Sequence, residues 1–209
     1  LTDVEKTYLR IQITRGTGLG LSIKTPIPAN RYLFAMPAEI PPQSLLEEGI
    51  SLKSTRKETT KRGNQPKLPN YLNSILAIEA INDDYDDVLW CNQEDEICEA
   101  STSNIFFLER VGDDAAWLTP HVESGILAGI TRGSMIDFFK EYTIPIREES
   151  ISIKEIARFD EAFLCSTVRG LIPIKKIDQH RLYTMRNQAL FPKIRELFQR
   201  KMLKTNLEV

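Results

Sequence analysis

Lys67 stands between two prolines, in Gln65-Pro66-Lys67-Leu68-Pro69-Asn70-Tyr71, just ahead of a run that reads as a helix. Glu99 follows in Cys98-Glu99-Ala100-Ser101-Thr102-Ser103-Asn104. Gly129-Ile130-Thr131-Arg132 then opens a second helix, and Ser166-Thr167 comes after it. A lysine amine condenses with an aldehyde only if it is held still and spends time uncharged. The flanking prolines restrict the backbone around Lys67. A carboxylate such as Glu99, at the end of a strand, can hold a proton on a ring nitrogen. The amides at the start of a helix, with the positive end of its dipole, suit a phosphate. Gly129 permits close approach of the backbone, and the hydroxyls of Thr131, Ser166 and Thr167 can donate to the same phosphate. Ser101, Thr102 and Ser103 can line the edge of a bound ring. These are the parts that a pyridoxal 5'-phosphate site needs. Each alone has a plainer reading: an exposed loop lysine, a glutamate closing a hairpin, an ordinary helix cap. Their order along the chain is what argues for chemistry.

Those residues have to be carried by regular elements. The alternation over Tyr8 to Thr14 predicts a strand, and Arg31 to Ile40 another. Gly16-Thr17-Gly18-Leu19-Gly20 between them imitates a phosphate loop, but no amphipathic helix follows, so it reads as a connection. Pro41-Pro42 marks a linker. Gly49 to Arg56 predicts a short strand. Asn70 to Asn82 predicts a helix with Tyr71, Ile75, Leu76, Ile78 and Ala80 on its apolar side. Asp87 to Asn92 and Ile97 to Glu99 read as a hairpin around Gln93-Glu94-Asp95-Glu96. Further strands are expected at Ile105 to Glu109, Ala116 to Thr119, Ile144 to Glu148, Glu161 to Ser166 and Leu171 to Lys175. Helices are expected at Thr131 to Tyr142, Ile153 to Phe159 and Phe191 to Leu203, the last with Ile194, Leu197 and Phe198 inward. The mixture predicts an α+β fold, mainly β around a few helices.

Composition narrows the classes. The chain has 209 residues, 42% of them hydrophobic, enough for a sizeable core. With 29 acidic and 27 basic residues the net charge is −2, which argues against a nucleic-acid-binding chain. The basic residues Lys53, Arg56, Lys57, Lys61, Arg62 and Lys67 crowd one stretch, which reads as a solvated loop apart from Lys67. No apolar run reaches the roughly 18 residues of a membrane span, and the first residues do not form a signal peptide. Cys91, Cys98 and Cys165 lack metal-ligand spacing, and His121 and His180 are far apart, so no metal site is expected. The odd cysteine count fits a reducing cytoplasm.

The blocks Lys67-x-x-Asn70-Tyr71-Leu72, Glu99-Ala-Ser-Thr-Ser-Asn104-Ile-Phe, Leu127-Ala-Gly-Ile-Thr-Arg132 and Asp160-Glu161-Ala-Phe-Leu-Cys-Ser-Thr167 occur in this order. In them the chain resembles the fold-type IV pyridoxal phosphate enzymes, over roughly residues 49 to 180. That family includes branched-chain aminotransferases, D-amino acid aminotransferases and aminodeoxychorismate lyases. The resemblance implies a mainly β pseudobarrel with flanking helices as the large domain, residues 49–209. A linker at 41–48 and a remnant of a small α/β domain at 1–40, its start absent, are expected before it. It implies Lys67 as the Schiff-base lysine and proton shuttle, Glu99 paired with the pyridine nitrogen and Leu127 packed on the ring. Ile130 and Thr131 are implied at the phosphate, with Thr167 assisting, and Tyr71 near the ring's phenolic oxygen. It further implies a homodimer. Ala100 replaces the family's glycine after the glutamate.

The reaction stays open at this stage. The arginine-x-histidine carboxylate trap of the D-amino acid enzymes has no counterpart in Thr17-Gly18-Leu19-Gly20-Leu21. Branched-chain enzymes usually place the lysine one residue further from the Asn-Tyr pair. They also tend to read Gly-Thr-Ala where this chain has Ser166-Thr167-Val168. Ser166-Thr-Val-Arg169-Gly-Leu-Ile-Pro173 is similar to a segment of the lyases, with Arg169 then meeting a substrate carboxylate. The expectation leans to a lyase that converts 4-amino-4-deoxychorismate to 4-aminobenzoate and pyruvate, as in folate biosynthesis. The alternative is an aminotransferase of branched-chain or D-amino acid type. A non-catalytic remnant is the reading from a different class, and the presence of both Lys67 and Glu99 argues against it.

Overall fold

The computed structural model describes residues 7–18, 27–38, 41–56 and 67–205. Leu19 and Gly20 of the glycine-rich turn, and Lys57, Lys61 and Arg62 of the basic crowd, lie outside the described residues. The chain divides into two compact units, Leu1–Ile40 and Pro41–Val209.

In the first unit β1 (Thr7–Thr14) pairs with β2 (Asn30–Pro37) in an antiparallel ribbon, with Thr7 opposite Pro37 and Thr14 opposite Asn30. The period-2 pattern puts Leu9, Ile11 and Ile13 on one face of this ribbon together with Leu33.

The second unit begins with a correction to the expected linker. Residues 43–48 form the helix α1 (Gln43–Glu48). Pro42 supplies the extended N-cap, Gln43 and Glu47 are hydrogen-bonded one turn apart, and Leu45 and Leu46 pack on the core. The double proline marks a helix start here as well as the end of the preceding segment. β3 (Ile50–Arg56), α2 (Leu72–Ala80), β4 (Asp87–Cys91), β5 (Ile97–Ala100), β6 (Asn104–Val111) and β7 (Asp114–Pro120) follow. Then come α3 (Ile130–Glu141), β8 (Ile146–Glu149), a 3₁₀ turn at Ile153–Arg158, β9 (Phe159–Ser166), β10 (Gly170–Ile177), β11 (His180–Arg181) and α4 (Phe191–Thr205). The strands form one mixed sheet in the order β5-β4-β3-β10-β9-β6-β7-β8, with β11 on β10. β3 runs parallel to both β4 and β10, and β7 runs parallel to β8; the other neighbours are antiparallel. This is the α+β, mainly β arrangement expected.

The sheet is apolar on both faces, and alternation along single strands divides its side chains between two cores. In β6, Ile105 and Phe107 enter one cluster with Ile50, Leu89, Leu164 and Ile172, drawn from strands right across the curled sheet. Phe106 and Leu108 turn the other way, onto Met135, Phe138 and Phe139 of α3 and Phe191, Ile194 and Phe198 of α4. Leu197, expected inward on α4, is instead 37% exposed; Phe191, Ile194 and Phe198 complete the stripe.

The packed face of α2 also differs from the expectation. Ala77 and Ile81 lie on a third cluster with Val88, Trp90, Cys98 and Ile126, whereas Ile75, Leu76 and Ile78 are exposed. Ser74, Ala77 and Ile81 recur at helical spacing just as Tyr71, Ile75 and Ile78 do. The small residues Ser74 and Ala77 let the helix approach the sheet and the Ser101 loop.

Candidate functional site

One cleft in the second unit is lined by Lys67, Leu68, Asn70, Tyr71, Asn73, Ser74, Glu99, Ser101, Thr102, Ser103, Asn104 and Leu127. Its walls come from the segment leading into α2, the β5–β6 connection and the loop after the 3₁₀ turn at Val122–Ser124. Pairing of β4 with β5, Leu89 opposite Ala100, carries Glu99 to the end of the sheet where α2 crosses. Ser74 Oγ donates to Ser101 O at 3.4 Å and joins α2 to that turn. Lys67 is exposed at the rim of the cleft.

Glu99 is gripped from within the protein. Its Oε2 accepts hydrogen bonds from Leu127 N at 3.0 Å and Asn104 Nδ2 at 3.2 Å. The same Asn104 amide donates to Leu127 O at 2.9 Å.

Gly129 is the N-cap of α3, with extended backbone and no side-chain cap. The first-turn amides that begin at Ile130 have no acceptor within the helix, as at any helix start. Ile130 is 86% exposed, so this helix start is open to solvent. Thr131 Oγ1 and Thr167 Oγ1 lie 3.2 Å apart, which brings the hydroxyl at the end of β9 to the mouth of the helix. A Cβ at Gly129 would collide with the side-chain oxygen of Asn104, so only glycine lets the chain pass this closely. A hydroxyl pair beside uncapped amides, joined through Gly129 and Asn104 to a held carboxylate, fits a ring with a phosphate at one end and a basic nitrogen at the other. The donor set therefore suits pyridoxal phosphate, with Lys67, Tyr71, Ser101, Thr102 and Leu127 on the cleft wall.

Ser166 and Arg169 are placed differently. Ser166 Oγ accepts from Arg169 N at 3.4 Å and closes the turn between β9 and β10. The Arg169 guanidinium lies 3.6 Å from the carboxylate of buried Asp87; Ser166 and Arg169, like Gly129, Ile130, Thr131 and Thr167, do not line the cleft itself. The expected contact between Arg169 and a substrate carboxylate thus has an internal rival.

Sequence reasoning passed over Asn73, Ser74 and the role of Asn104. One signal exists: Asn104 stands directly before the apolar run Ile105 to Leu108 of β6, a poor position for asparagine unless its amide is used. Cys91 and Cys165 are poor nucleophiles, since burial pushes their thiols up to about 12. Among the described residues no group of three or more His, Cys, Asp or Glu is placed to hold a metal ion, and no helix is long and apolar enough to cross a membrane.

Comparison with known proteins agrees with this fold. A probable branched-chain-amino-acid aminotransferase of Thermotoga maritima is 30% identical over 141 residues, 66% of this chain and 50% of that protein. The crystal structure of a branched-chain aminotransferase from Thermoproteus uzoniensis, solved with norvaline, superposes with a TM-score of 0.77 at 30% identity, covering 93% of this chain and 64% of that one. A putative 4-amino-4-deoxychorismate lyase from Legionella pneumophila shares the fold with a TM-score of 0.79 at 24% identity, covering 92% of this chain and 69% of that one. The chain thus spans half to about two thirds of the length of these proteins. Residues 2–177 match the amino-transferase class IV family, and the chain belongs to that family of pyridoxal-phosphate-dependent, fold-type IV proteins.

Proposed function

We propose that this chain carries the cofactor-binding part of a pyridoxal-phosphate-dependent enzyme that moves an amino group from an α-amino acid to a 2-oxo acid. The observation that carries the reading is the convergence of Lys67 and Glu99 on one cleft, with Glu99 fixed by Leu127 N and Asn104. When bound, pyridoxal phosphate supplies an aldehyde that takes up an amino group and a ring that draws electrons from the α-carbon. Lys67 would offer the amine that holds the cofactor in the resting protein and would carry a proton to and from the substrate α-carbon. Glu99 would hold a proton at the ring nitrogen, Thr131, Thr167 and the first-turn amides of α3 would bind the phosphate, and Leu127 would support the ring.

Amino-group transfer is preferred because relatives at 30% identity are named as branched-chain aminotransferases. Elimination of pyruvate from 4-amino-4-deoxychorismate is the second reading, favoured by the segment Ser166 to Pro173. It loses support because Asp87 engages Arg169. Branched-chain substrates and a homodimer belong to the same proposal.

The test is a visible spectrum of the purified chain with pyridoxal phosphate, before and after borohydride, for wild type and Lys67→Ala. A band trapped by reduction in wild type and missing in Lys67→Ala supports the reading; no band in wild type overturns it. Assays of amino transfer from branched-chain amino acids against pyruvate release from aminodeoxychorismate then separate the two reactions.

A further inference from the structure

We infer that Asn104 is a positioning residue that couples the ring end of the site to its phosphate end, an inference that rests on the cofactor reading above. Asn104 opens β6 and is only 6% exposed, so its amide has to find partners inside the protein. Its nitrogen faces two acceptors, Glu99 Oε2 at 3.2 Å and Leu127 O at 2.9 Å. Leu127 O is a carbonyl and Glu99 Oε2 already accepts from Leu127 N, so the amide orientation is set by chemistry: the donor must point there and Oδ1 must point away. Oδ1 accordingly rests against Gly129, 2.1 Å from where a Cβ would stand. One planar amide therefore touches the carboxylate proposed for the ring nitrogen, the carbonyl of the residue proposed to pack on the ring, and the N-cap of the helix proposed for the phosphate.

The consequence is mechanical. Leu127 N also donates to Glu99 Oε2 at 3.0 Å, so Glu99, Asn104 and the Leu127 backbone form a closed ring of hydrogen bonds. Its members cannot move singly. A displacement of Asn104 turns the Glu99 carboxylate, and it also frees the chain between Leu127 and Gly129 to shift the start of α3. An aspartate of the same shape fails here, because it sets a third oxygen against two others. Gly129→Ala perturbs the network from its other end, since the new methyl group pushes Oδ1 away.

A merely structural asparagine would lower stability and leave bound cofactor unchanged, so the test reads the cofactor. Pyridoxal phosphate is titrated into wild type, Asn104→Asp, Asn104→Ser, Gly129→Ala and the Asn104→Ser/Gly129→Ala double variant. The dissociation constant, the visible band with its pH midpoint and the melting temperature of the unliganded protein are recorded. The expected result is a rise of about tenfold or more in dissociation constant for each single variant, the size of one lost hydrogen bond to a charged group. A shifted pH midpoint of the band should accompany it. The double variant should be much less than multiplicative, because both changes break one network. Wild-type affinity and an unmoved midpoint in the folded single variants overturn the inference, as do multiplicative effects. Should Asn104→Asp fail to fold, Asn104→Ser and Gly129→Ala decide. Absence of a band in wild type is a different outcome: it sinks the cofactor reading itself, and this inference with it.

Discussion

The hydroxyls of Thr131 and Thr167 meet at 3.2 Å, although one begins α3 and the other follows β9. The contact closes one side of the open helix start. Neither hydroxyl supports the core, so each is available to a ligand. Thr131→Val and Thr167→Val should each weaken binding of pyridoxal phosphate roughly tenfold, in line with a lost hydrogen bond to a charged group. The double variant should lose less than the product of the two. Unliganded stability should stay within about 0.5 kcal/mol of wild type. Fluorescence titration beside urea denaturation checks both statements, and unchanged affinity in both variants would remove the threonines from the phosphate site.

Glu161 is a buried carboxylate with a structural task. It is 1% exposed and accepts from Leu190 N at 2.9 Å, Phe191 N at 2.8 Å and Arg110 Nη2 at 2.8 Å. Its charge sits at the start of α4, where the helix dipole favours it. Glu161→Ala should cost about 3 kcal/mol, because it strands two amides and a guanidinium. Glu161→Gln should cost less, since one acceptor oxygen remains. Equal urea midpoints for Glu161→Ala and wild type would contradict this.

Phe163 is the hub of the core beneath α3 and α4. Its ring stacks on Phe106 at 5.0 Å between centroids and meets Trp117 and Phe191 at 5.1 Å each. Phe163→Ala should destabilise by about 3–5 kcal/mol through lost burial and the cavity left behind. Phe163→Leu should cost clearly less. The ratio of the two, from denaturant unfolding, reports how far the surrounding rings can collapse.

The ion pair between Lys53 and Asp178, at 2.8 Å, ties β3 to the turn after β10. Burial pushes the Asp178 carboxyl up, but hydrogen bonds from Lys53 and Ser54 outweigh it and leave the group below its ordinary value. The hydrogen bond to Asp178 holds the Lys53 ammonium above its ordinary value, against the opposing effect of burial. A lowered acid stabilises the fold above its unfolded value, about 3.9, and loses that contribution as pH falls through its folded value. A raised lysine contributes below about 10.4 and loses its share as pH rises through its folded value. The Lys53 side chain is 45% exposed, so solvent screens the pair and its worth is about 1 kcal/mol or less. Asp178→Asn should therefore be slightly less stable than wild type at neutral pH, with the gap closing under acid. A gap independent of pH from 7 down to 2 would refute the assignment.

The elements that carry the candidate site are more legible in the sequence than the way they pack. The strand ends at Glu99 and Thr167 and the helix start at Gly129 follow from local alternation and helical spacing, since both are properties of neighbouring residues. The expected span of α2 agrees with the structure within two residues at each end, but its inward face differs. Two stripes of that helix are compatible with burial, and what lies opposite selects one of them. The helix within the expected linker was hidden for a related reason: Leu45 and Leu46 need the core as a partner to hold so short a segment. The pairing of Arg169 with Asp87 joins residues far apart in the chain, and no local pattern announces it.

By itself the sequence determined the kinds of groups present, their order, and the elements that carry them: a proline-flanked lysine, a glutamate at a strand end, a glycine before a helix, hydroxyls after a strand. Those are matters of side-chain chemistry and of short-range backbone preference. Only the tertiary structure decided which groups meet. Pairing of β5 with β4, the run of β9 between β10 and β6, and the crossing of α2 over the β5–β6 turn bring Lys67, Glu99 and Leu127 to one cleft. The same packing sets Thr131 against Thr167 and threads Asn104 between Glu99 and Gly129. Contacts of this kind join residues distant in the chain, and they form because strand pairing and core burial reward them together, not because any single segment prefers them.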